Sequence, residues 1–182
     1  VDLHLDPPLI VTPRHELDTA LRREAVKAGA ALVEEPVREL QQRPGGGWQV
    51  NDHAADVVVG AGGMRCPLAE HLGLDLTRDE QVLAFGRMIP GRFDPHIVTR
   101  FFPRQQSYAW WFPREDHASF GVEMPGALFD TEAARNLLSE FAARDLPGVD
   151  PESGQAFGWS GPAIHDWDSP LRRFAGPDWL LA

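Results

Sequence analysis

Cysteine and long apolar runs are scarce in this sequence. Cys66 is the only cysteine among 182 residues, which excludes an intrachain disulfide and a metal centre built from several cysteines. No apolar run reaches the roughly 18 to 20 residues that a membrane-spanning helix needs. The N-terminus also lacks the charged, apolar and small-residue order of a secretory signal. A lone thiol suits a reducing compartment, and we expect a soluble, cytoplasmic protein.

Basic residues are in the minority. The chain has 17 Lys and Arg against 27 Asp and Glu, a net charge of −10. A nucleic-acid-binding surface needs a basic face, so we expect no nucleic-acid partner. The sequence signatures of a serine nucleophile elbow, a Walker phosphate loop and an HExxH zinc helix are also missing. His165, Asp166 and Asp168 lie close in sequence, but their spacing fits no defined metal site, and we predict no metal.

A valine run followed by glycines lies near the middle of the first half. Asp56 precedes Val57-Val58-Val59, which lead into Gly60-Ala61-Gly62-Gly63. Such a run predicts a strand from Ala55 to Gly60 that is buried on both faces, as in a parallel sheet. Glycines after the strand let backbone N–H groups approach a ligand, and ligands bind at that end of open α/β sheets. The alternative is a strand followed by an ordinary turn.

The residues before this run predict a mixed α/β unit over 1–78. Thr12 and Pro13 start a helix whose apolar residues recur every three or four positions up to Ala28, and Gly29 ends it. One face of this helix is expected to pack on a sheet. A strand is predicted over 30–33, followed by a hairpin of 36–42 and 47–51 around a Pro-Gly-Gly turn.

From residue 79 to 165 the pattern predicts an antiparallel sheet with a helix over it. Four strand-like runs are separated by Pro, Gly or charged turns, over 81–89, 96–102, 107–112 and 118–124. A helix is predicted from Asp130 or Thr131 to Ala143, then a short strand over 155–159. Residues 166–182 are predicted to return to the first unit with a strand over 179–182. A chain that ends within a strand is expected to be part of a longer protein.

Aromatic residues are concentrated in the predicted sheet. Alternation along 108–112 places Tyr108, Trp110 and Phe112 on one face and Trp111 on the other. The three rings on one face predict a wall that contacts an apolar ligand. The alternative is that they fill an ordinary core.

Three local motifs are similar to those of one enzyme family. Arg14-x-x-Leu17-Asp18-x-x-Leu21, followed by Gly29-Ala30, matches a family helix, and the valine-glycine stretch matches its second flavin motif. The most specific match is Tyr108-x-Trp110-x-Phe112-Pro113 followed by Gly121. Together they resemble an FAD-dependent oxidoreductase of the geranylgeranyl reductase type, in the p-hydroxybenzoate hydroxylase-like group. The resemblance implies an α/β plus antiparallel β fold, part of a Rossmann-like FAD-binding domain followed by a substrate domain.

The sequence departs from this family at four points. Gly62 replaces the acidic residue of the GADG motif, and Glu123 replaces the second glycine of GxG. The N-terminal GxGxxG and the C-terminal GDAAG, which flank this region in the family, are not in the chain. We therefore expect this segment alone to bind FAD poorly and to be inactive.

The resemblance assigns candidate residues but no catalytic one. It implies that the cofactor is bordered by Arg14, Val37, Gly60, Ala61, Gly62 and Gly63. It implies that the substrate is bordered by Tyr108, Trp110, Phe112, Pro113 and Gly121. Arg14 is otherwise a solvated surface arginine, and Val37 otherwise packs in a sheet. Cys66 either faces the flavin or is a small buried hydrophobe, and burial is favoured.

The activity implied is hydride transfer from reduced FAD to a double bond of an isoprenoid or similar lipophilic substrate. NAD(P)H or another donor would supply the electrons, and a lipophilic substrate is compatible with peripheral membrane contact. Two alternatives stay open. One is an FAD-dependent monooxygenase or halogenase that acts on an aromatic substrate, and the other is a lipid-binding relative without catalysis. The oligomeric state is left open.

Overall fold

The computed structural model describes residues 5–7, 9–163 and 174–182. Its helices are α1 (Arg14–Lys27), α2 (Pro67–His71) and α3 (Thr131–Asp145). Its strands are β1 (Leu40–Gln42), β2 (Trp48–Val50), β3 (His53–Ala55), β4 (Val58–Gly60), β5 (Gln81–Pro90), β6 (Val98–Phe102), β7 (Ser107–Pro113), β8 (His117–Pro125), β9 (Gln155–Pro162) and β10 (Trp179–Leu181). No described helix is long and apolar enough to cross a membrane.

The largest element is a five-stranded antiparallel sheet in the order β6-β7-β8-β5-β9. The strands predicted after residue 79 and the helix that follows them are all present, within a few residues of their expected bounds. Asp130 caps α3, because its carboxylate accepts a hydrogen bond of 2.9 Å from the backbone N–H of Ala133. The return of β9 to pair with β5 makes β9 an edge strand.

Helix α3 covers one face of this sheet and forms the main core with it. Trp111 and Phe120 on the sheet pack with Phe141 on the helix, and the rings of Phe120 and Phe141 stack 5.9 Å apart. A charged contact also joins the two layers. Nε and Nη2 of Arg100 on β6 donate hydrogen bonds to the two carboxylate oxygens of Asp145 at the end of α3. This bidentate pair fixes the end of the helix against the sheet.

The first unit is built from two small sheets around a second core. Strands β1, β2 and β3 form an antiparallel sheet, and β4 pairs with β10 in parallel. The hairpin predicted around residues 43–46 is present, and the predicted final strand pairs as β10. Trp48 is fully buried and packs with Leu68 and Trp179, which joins the hairpin, α2 and β10.

Three expectations for the first unit are wrong for the described structure. Residues 30–33 form no strand. Helix α1 has the predicted bounds but buries no residue, so its apolar residues, such as Leu17 and Leu21, pack on no sheet here. The predicted strand Ala55–Gly60 is broken, because β3 ends at Ala55 and β4 begins only at Val58, and Val57 and Val59 are exposed rather than buried. A parallel strand is buried on both sides only where a layer covers each face of its sheet. Among the described residues, none buries the side of the two-stranded sheet that carries Val59.

Candidate functional site

The glycine turn follows β4, at the carboxyl ends of the parallel strands β4 and β10. Ala61, Gly62 and Gly63 are exposed there, and Gly63 has a φ of +64° with open space where a side chain would begin. Only glycine adopts this conformation without strain. The result is a stretch of accessible backbone with almost no side chain.

Gly60 has a different role from the rest of the turn. It is buried, and a Cβ at this position would lie 2.7 Å from the Cys66 Sγ and 2.8 Å from Leu181 Cδ2. The absence of a side chain at Gly60 therefore serves close packing between β4, β10 and the start of α2. Ligand access depends on the residues that follow.

Cys66 is buried next to this turn, which agrees with the favoured interpretation of its role. Burial alone would raise the pKa of its thiol. Backbone hydrogen bonds involving Ala69, Gly62 and Leu68 outweigh burial, so the pKa is lowered below its ordinary value. The thiol helps to hold the turn against α2.

The sheet face opposite α3 is lined by aromatic rings. Strand register and ring contacts place six of them on this face, which we call the aromatic face: Phe101, Tyr108, Trp110, Phe112, Phe157 and Trp159. The predicted division of the rings is confirmed, since Trp111 packs on the α3 side. Phe101 is 72% exposed and Trp159 is 44% exposed, so the edges of the aromatic face are open to a ligand.

Trp110 is the centre of the aromatic face and is only 4% exposed. Its ring lies 5.9 Å from Tyr108 and 6.1 Å from Phe112, and its Nε1–H donates a hydrogen bond of 3.0 Å to Ser119 Oγ. Gly121 makes this possible, because a Cβ there would lie 2.3 Å from the ring atom Cζ2 of Trp110. Trp110 therefore supports the neighbouring rings, and its own ring offers little surface to a ligand.

Three of the six rings, Phe101, Phe157 and Trp159, were not predicted as site residues. Phe157 and Trp159 on β9 each lie 6.4 Å from the Trp110 ring, because β9 pairs with β5 at the sheet edge. The period-two spacing of these two aromatic residues is a signal that a sequence reading could have used. The pairing of β9 with β5 across about 70 intervening residues carried no local signal.

One polar pair interrupts the aromatic face. Tyr108 and Glu123 are directly opposite each other on β7 and β8, and the Tyr108 hydroxyl donates a long hydrogen bond of 3.4 Å to Glu123 Oε2. Burial raises the pKa of Glu123, and the Tyr108 hydroxyl only partly offsets it. Burial and the nearby Glu123 carboxylate raise the pKa of Tyr108 as well. From the sequence alone, Glu123 is notable only as the residue that replaces the second glycine of GxG.

The glycine turn and the aromatic face are neighbours. The 3-10 turn Gly63–Arg65, which continues the glycine turn, lies beside β9, the strand that carries Phe157 and Trp159. A ligand bound at the exposed backbone of residues 61–63 would therefore be close to that edge of the sheet.

The remaining predicted site residues are on other elements of the chain. Arg14 is on the exposed helix α1 and pairs with Asp18, its Nε 3.1 Å from the carboxylate. Val37 is exposed in the extended segment before β1. Pro113 is buried at the end of β7. Their roles as site residues stay predictions, as does the expected closeness of Arg14 to the glycine turn.

No metal centre is described. Within residues 5–7, 9–163 and 174–182, no group of three His, Cys, Asp or Glu side chains is arranged to hold an ion. The candidate trio His165, Asp166 and Asp168 lies outside the described residues.

The turn's chemistry fits a flavin. The exposed residues 61–63 carry at most a methyl group, and their backbone lies at the carboxyl ends of two parallel strands, where polar backbone groups and a flat ring can meet.

Known structures share the fold of this chain. A geranylgeranyl bacteriochlorophyll reductase-like protein from Thermoplasma acidophilum superposes with a TM-score of 0.70 at 22% identity, over 92% of this chain and 46% of its own. A peptidyl tryptophan dihydroxylase essential for tryptophylquinone cofactor biogenesis gives 0.63 at 22% identity, over 92% and 39%. A halogenase solved with phloroglucinol and FAD gives 0.62 at 14% identity, over 92% and 40%.

The chain thus spans less than half the length of these proteins. No protein-family model matches the sequence, and a search of curated proteins returns no match. At these identities the likeness establishes the fold. The neighbours in that fold include flavin-dependent enzymes.

Proposed function

We propose that this chain is the central part of a flavin-dependent oxidoreductase that reduces double bonds of an isoprenoid or similar lipophilic substrate. The observation that carries the proposal is the position of the Gly63–Arg65 turn beside β9. It brings the backbone suited to a flavin next to the sheet face suited to an apolar substrate. The shared fold with a reductase-like protein supports the same assignment.

In this proposal Ala61, Gly62 and Gly63 border the cofactor through their backbone, with Gly60 and Cys66 holding the turn in place. Arg14 and Val37 are assigned to the same cofactor on the family resemblance alone. Reduced flavin, when bound, supplies a hydride, and the substrate's second hydrogen comes as a proton.

The chain's own contribution is to bind and orient the substrate and to exclude water. The exposed rings of Phe101 and Trp159 and the partly exposed rings of Tyr108 and Phe112 give a long apolar chain a surface to lie on. The buried Trp110 ring contacts Tyr108, Phe112 and Trp159 and supports them. Gly121 has no side chain, which lets the Trp110 ring lie against the sheet at this position. Pro113 is the last residue of β7. A substrate packed on this face would lose its hydration shell on one side.

A second candidate is a monooxygenase or halogenase that acts on an aromatic substrate. The stacked rings of Trp110 and Phe112 favour this candidate, because a flat aromatic substrate stacks on such rings as readily as a prenyl chain packs on them. Proteins of both kinds share the fold. The electron donor, NAD(P)H or another reductant, belongs to the proposal in either case.

The two candidates are separated by the product formed. A full-length protein that contains this chain is loaded with FAD, reduced anaerobically with dithionite and mixed with geranylgeraniol. We expect a product heavier by two hydrogens per reduced double bond, detected by mass spectrometry, and reoxidation of the flavin absorbance. An unchanged prenyl alcohol, together with an oxygenated or halogenated indole or phenol when air, halide and NADPH are supplied, would contradict the reductase and support the second candidate.

A further inference from the structure

The carboxyl group of Glu123 is in an unusual place for an acidic side chain. Across the sheet, the strand register places Phe101, Tyr108, Glu123, Ala84 and Trp159 in one row on the aromatic face. Glu123 is half-buried, so part of its carboxyl group stays accessible from the side where the rings are open. The row therefore presents one acid among apolar groups.

This carboxyl group has no cationic partner among the described residues. The described arginines and lysine that form ion pairs do so with other acids, and the groups that influence Glu123 are its own burial and Tyr108. Strand β5 presents Ala84 beside it, and β9 presents Trp159. Half-buried acids are normally paired, because an unpaired charge in an apolar setting is costly.

The single hydrogen bond that Glu123 accepts is weak. Its 3.4 Å length is beyond the usual range for an O–H donor to a carboxylate, which leaves most of the acceptor capacity unused. A positively charged donor would satisfy the carboxylate with a stronger bond than a neutral donor can. The neighbouring rings would add to this, because the faces of Tyr and Trp attract cations.

We propose that Glu123 and Tyr108 form a binding site for a protonated amine, and that the ligand of the aromatic face is a lipophilic amine. The apolar part of the ligand would pack on the rings, and its ammonium group would donate to Glu123. The net charge of −10 also favours the approach of a cation. The inference rests on the proposed function for the role of the aromatic face as the substrate surface.

The test compares two ligands of equal length that differ in one group. Octylamine, which is protonated at neutral pH, and 1-octanol are titrated into the protein below their aggregation limits, and binding is followed by tryptophan fluorescence and calorimetry. No flavin is needed. We expect octylamine to bind about tenfold more tightly than 1-octanol, since a charge-assisted bond is roughly twice as strong as a neutral one.

Variants assign this preference to one side chain. In Glu123→Gln, which keeps the shape and removes the charge, the two ligands should bind equally. Glu132→Gln, on the first turn of α3 and on the other side of the sheet, makes the same change in net charge and should keep the tenfold preference. Tyr108→Phe should keep it too, because the carboxylate remains.

Each outcome bears on a different statement. Equal binding of the two ligands by the unaltered protein, or a preference that persists in Glu123→Gln, would overturn the amine site and leave the proposed function standing. Failure of both ligands to bind would overturn the aromatic face as a substrate surface, and the proposed function and the amine site with it. Equal binding by the unaltered protein would overturn the amine site whether or not a variant folds.

Discussion

At the scale of single residues, the position of Glu123 distinguishes this chain from the motif it resembles. A glycine at this place would leave the row of Phe101, Tyr108, Ala84 and Trp159 without a charged group. Glu123 instead adds an acid directly opposite Tyr108, half-buried and held by one long hydrogen bond. Such a group costs stability when it is ionised, which a structural role alone does not explain. A binding role gives this cost a purpose.

The raised pKa of Glu123 predicts how stability changes with pH. The folded state holds this proton to a higher pH than the unfolded chain does, so its contribution is fully present at low pH. It is lost as the pH rises through the folded-state pKa. The glutamine of Glu123→Gln cannot lose a proton. The melting temperature of this variant, relative to that of the unaltered protein, should therefore rise as the pH is raised from about 4 to about 8.

Glu132→Gln, on α3, is again the matched control for the loss of one negative charge. The raised pKa of Tyr108 lies above the pH window and adds nothing to it. A melting-temperature difference for Glu123→Gln that stays constant from pH 4 to pH 8 would contradict the assignment of the raised pKa.

At the scale of elements, β7 presents different chemistry on its two faces. Trp111 contributes to the α3 core and is 4% exposed. On the aromatic face, the rings surround Trp110, and Trp159 on the edge strand β9 is open to solvent. On β7, Tyr108 and Phe112 are partly exposed on the aromatic face, whereas Trp111 on the α3 side is buried. This separates a binding role from a folding role by position in the sheet.

A pair of truncations tests this separation. Trp111→Ala removes a buried ring and should cost about 3 to 5 kcal/mol of unfolding free energy, with little change in ligand affinity where the protein is folded. Trp159→Ala should cost much less stability. If a lipophilic ligand covers about 100 Å² of this ring, affinity should fall by about 2 to 3 kcal/mol, which is roughly thirtyfold to 150-fold.

Chemical denaturation and octanol titration of both variants measure the two effects. If Trp159→Ala bound octanol as well as the unaltered protein, the open edge of the aromatic face would not be a ligand surface. The same experiment on Trp110→Ala is expected to lower both stability and affinity, because the Trp110 ring is buried and supports its neighbours.

Sequence patterns predicted the second half of the chain better than the first. Alternation and turns are local, so β5 to β8 and α3 were found close to their true bounds. Three features of the first half could not be predicted from the sequence: the exposure of Val57 and Val59, the uncovered face of α1 and the loop at 30–33. A sequence pattern shows which residues suit burial, but it does not show what covers them. The Tyr108–Glu123 contact and the place of β9 depend on long-range register.

At the scale of the whole molecule, the first unit contacts the five-stranded sheet where the glycine turn lies beside β9. The core around Trp48 positions the turn, and the core under α3 positions the aromatic face. Neither unit alone brings accessible backbone and open rings together. The proposed chemistry therefore depends on the junction, and its residues come from distant parts of the chain, such as Gly63 and Trp159.

The most direct test of this account is an NMR titration of the ¹⁵N-labelled protein with FAD, since amide shifts report weak binding residue by residue. We predict that the largest changes are at the amides of Ala61, Gly62 and Gly63 and at the indole N–H of Trp159, with the amides of α3 unchanged. Changes confined to α3, or absent at the glycine turn while other residues respond, would contradict the claim that the turn and the aromatic face form one flavin and substrate site.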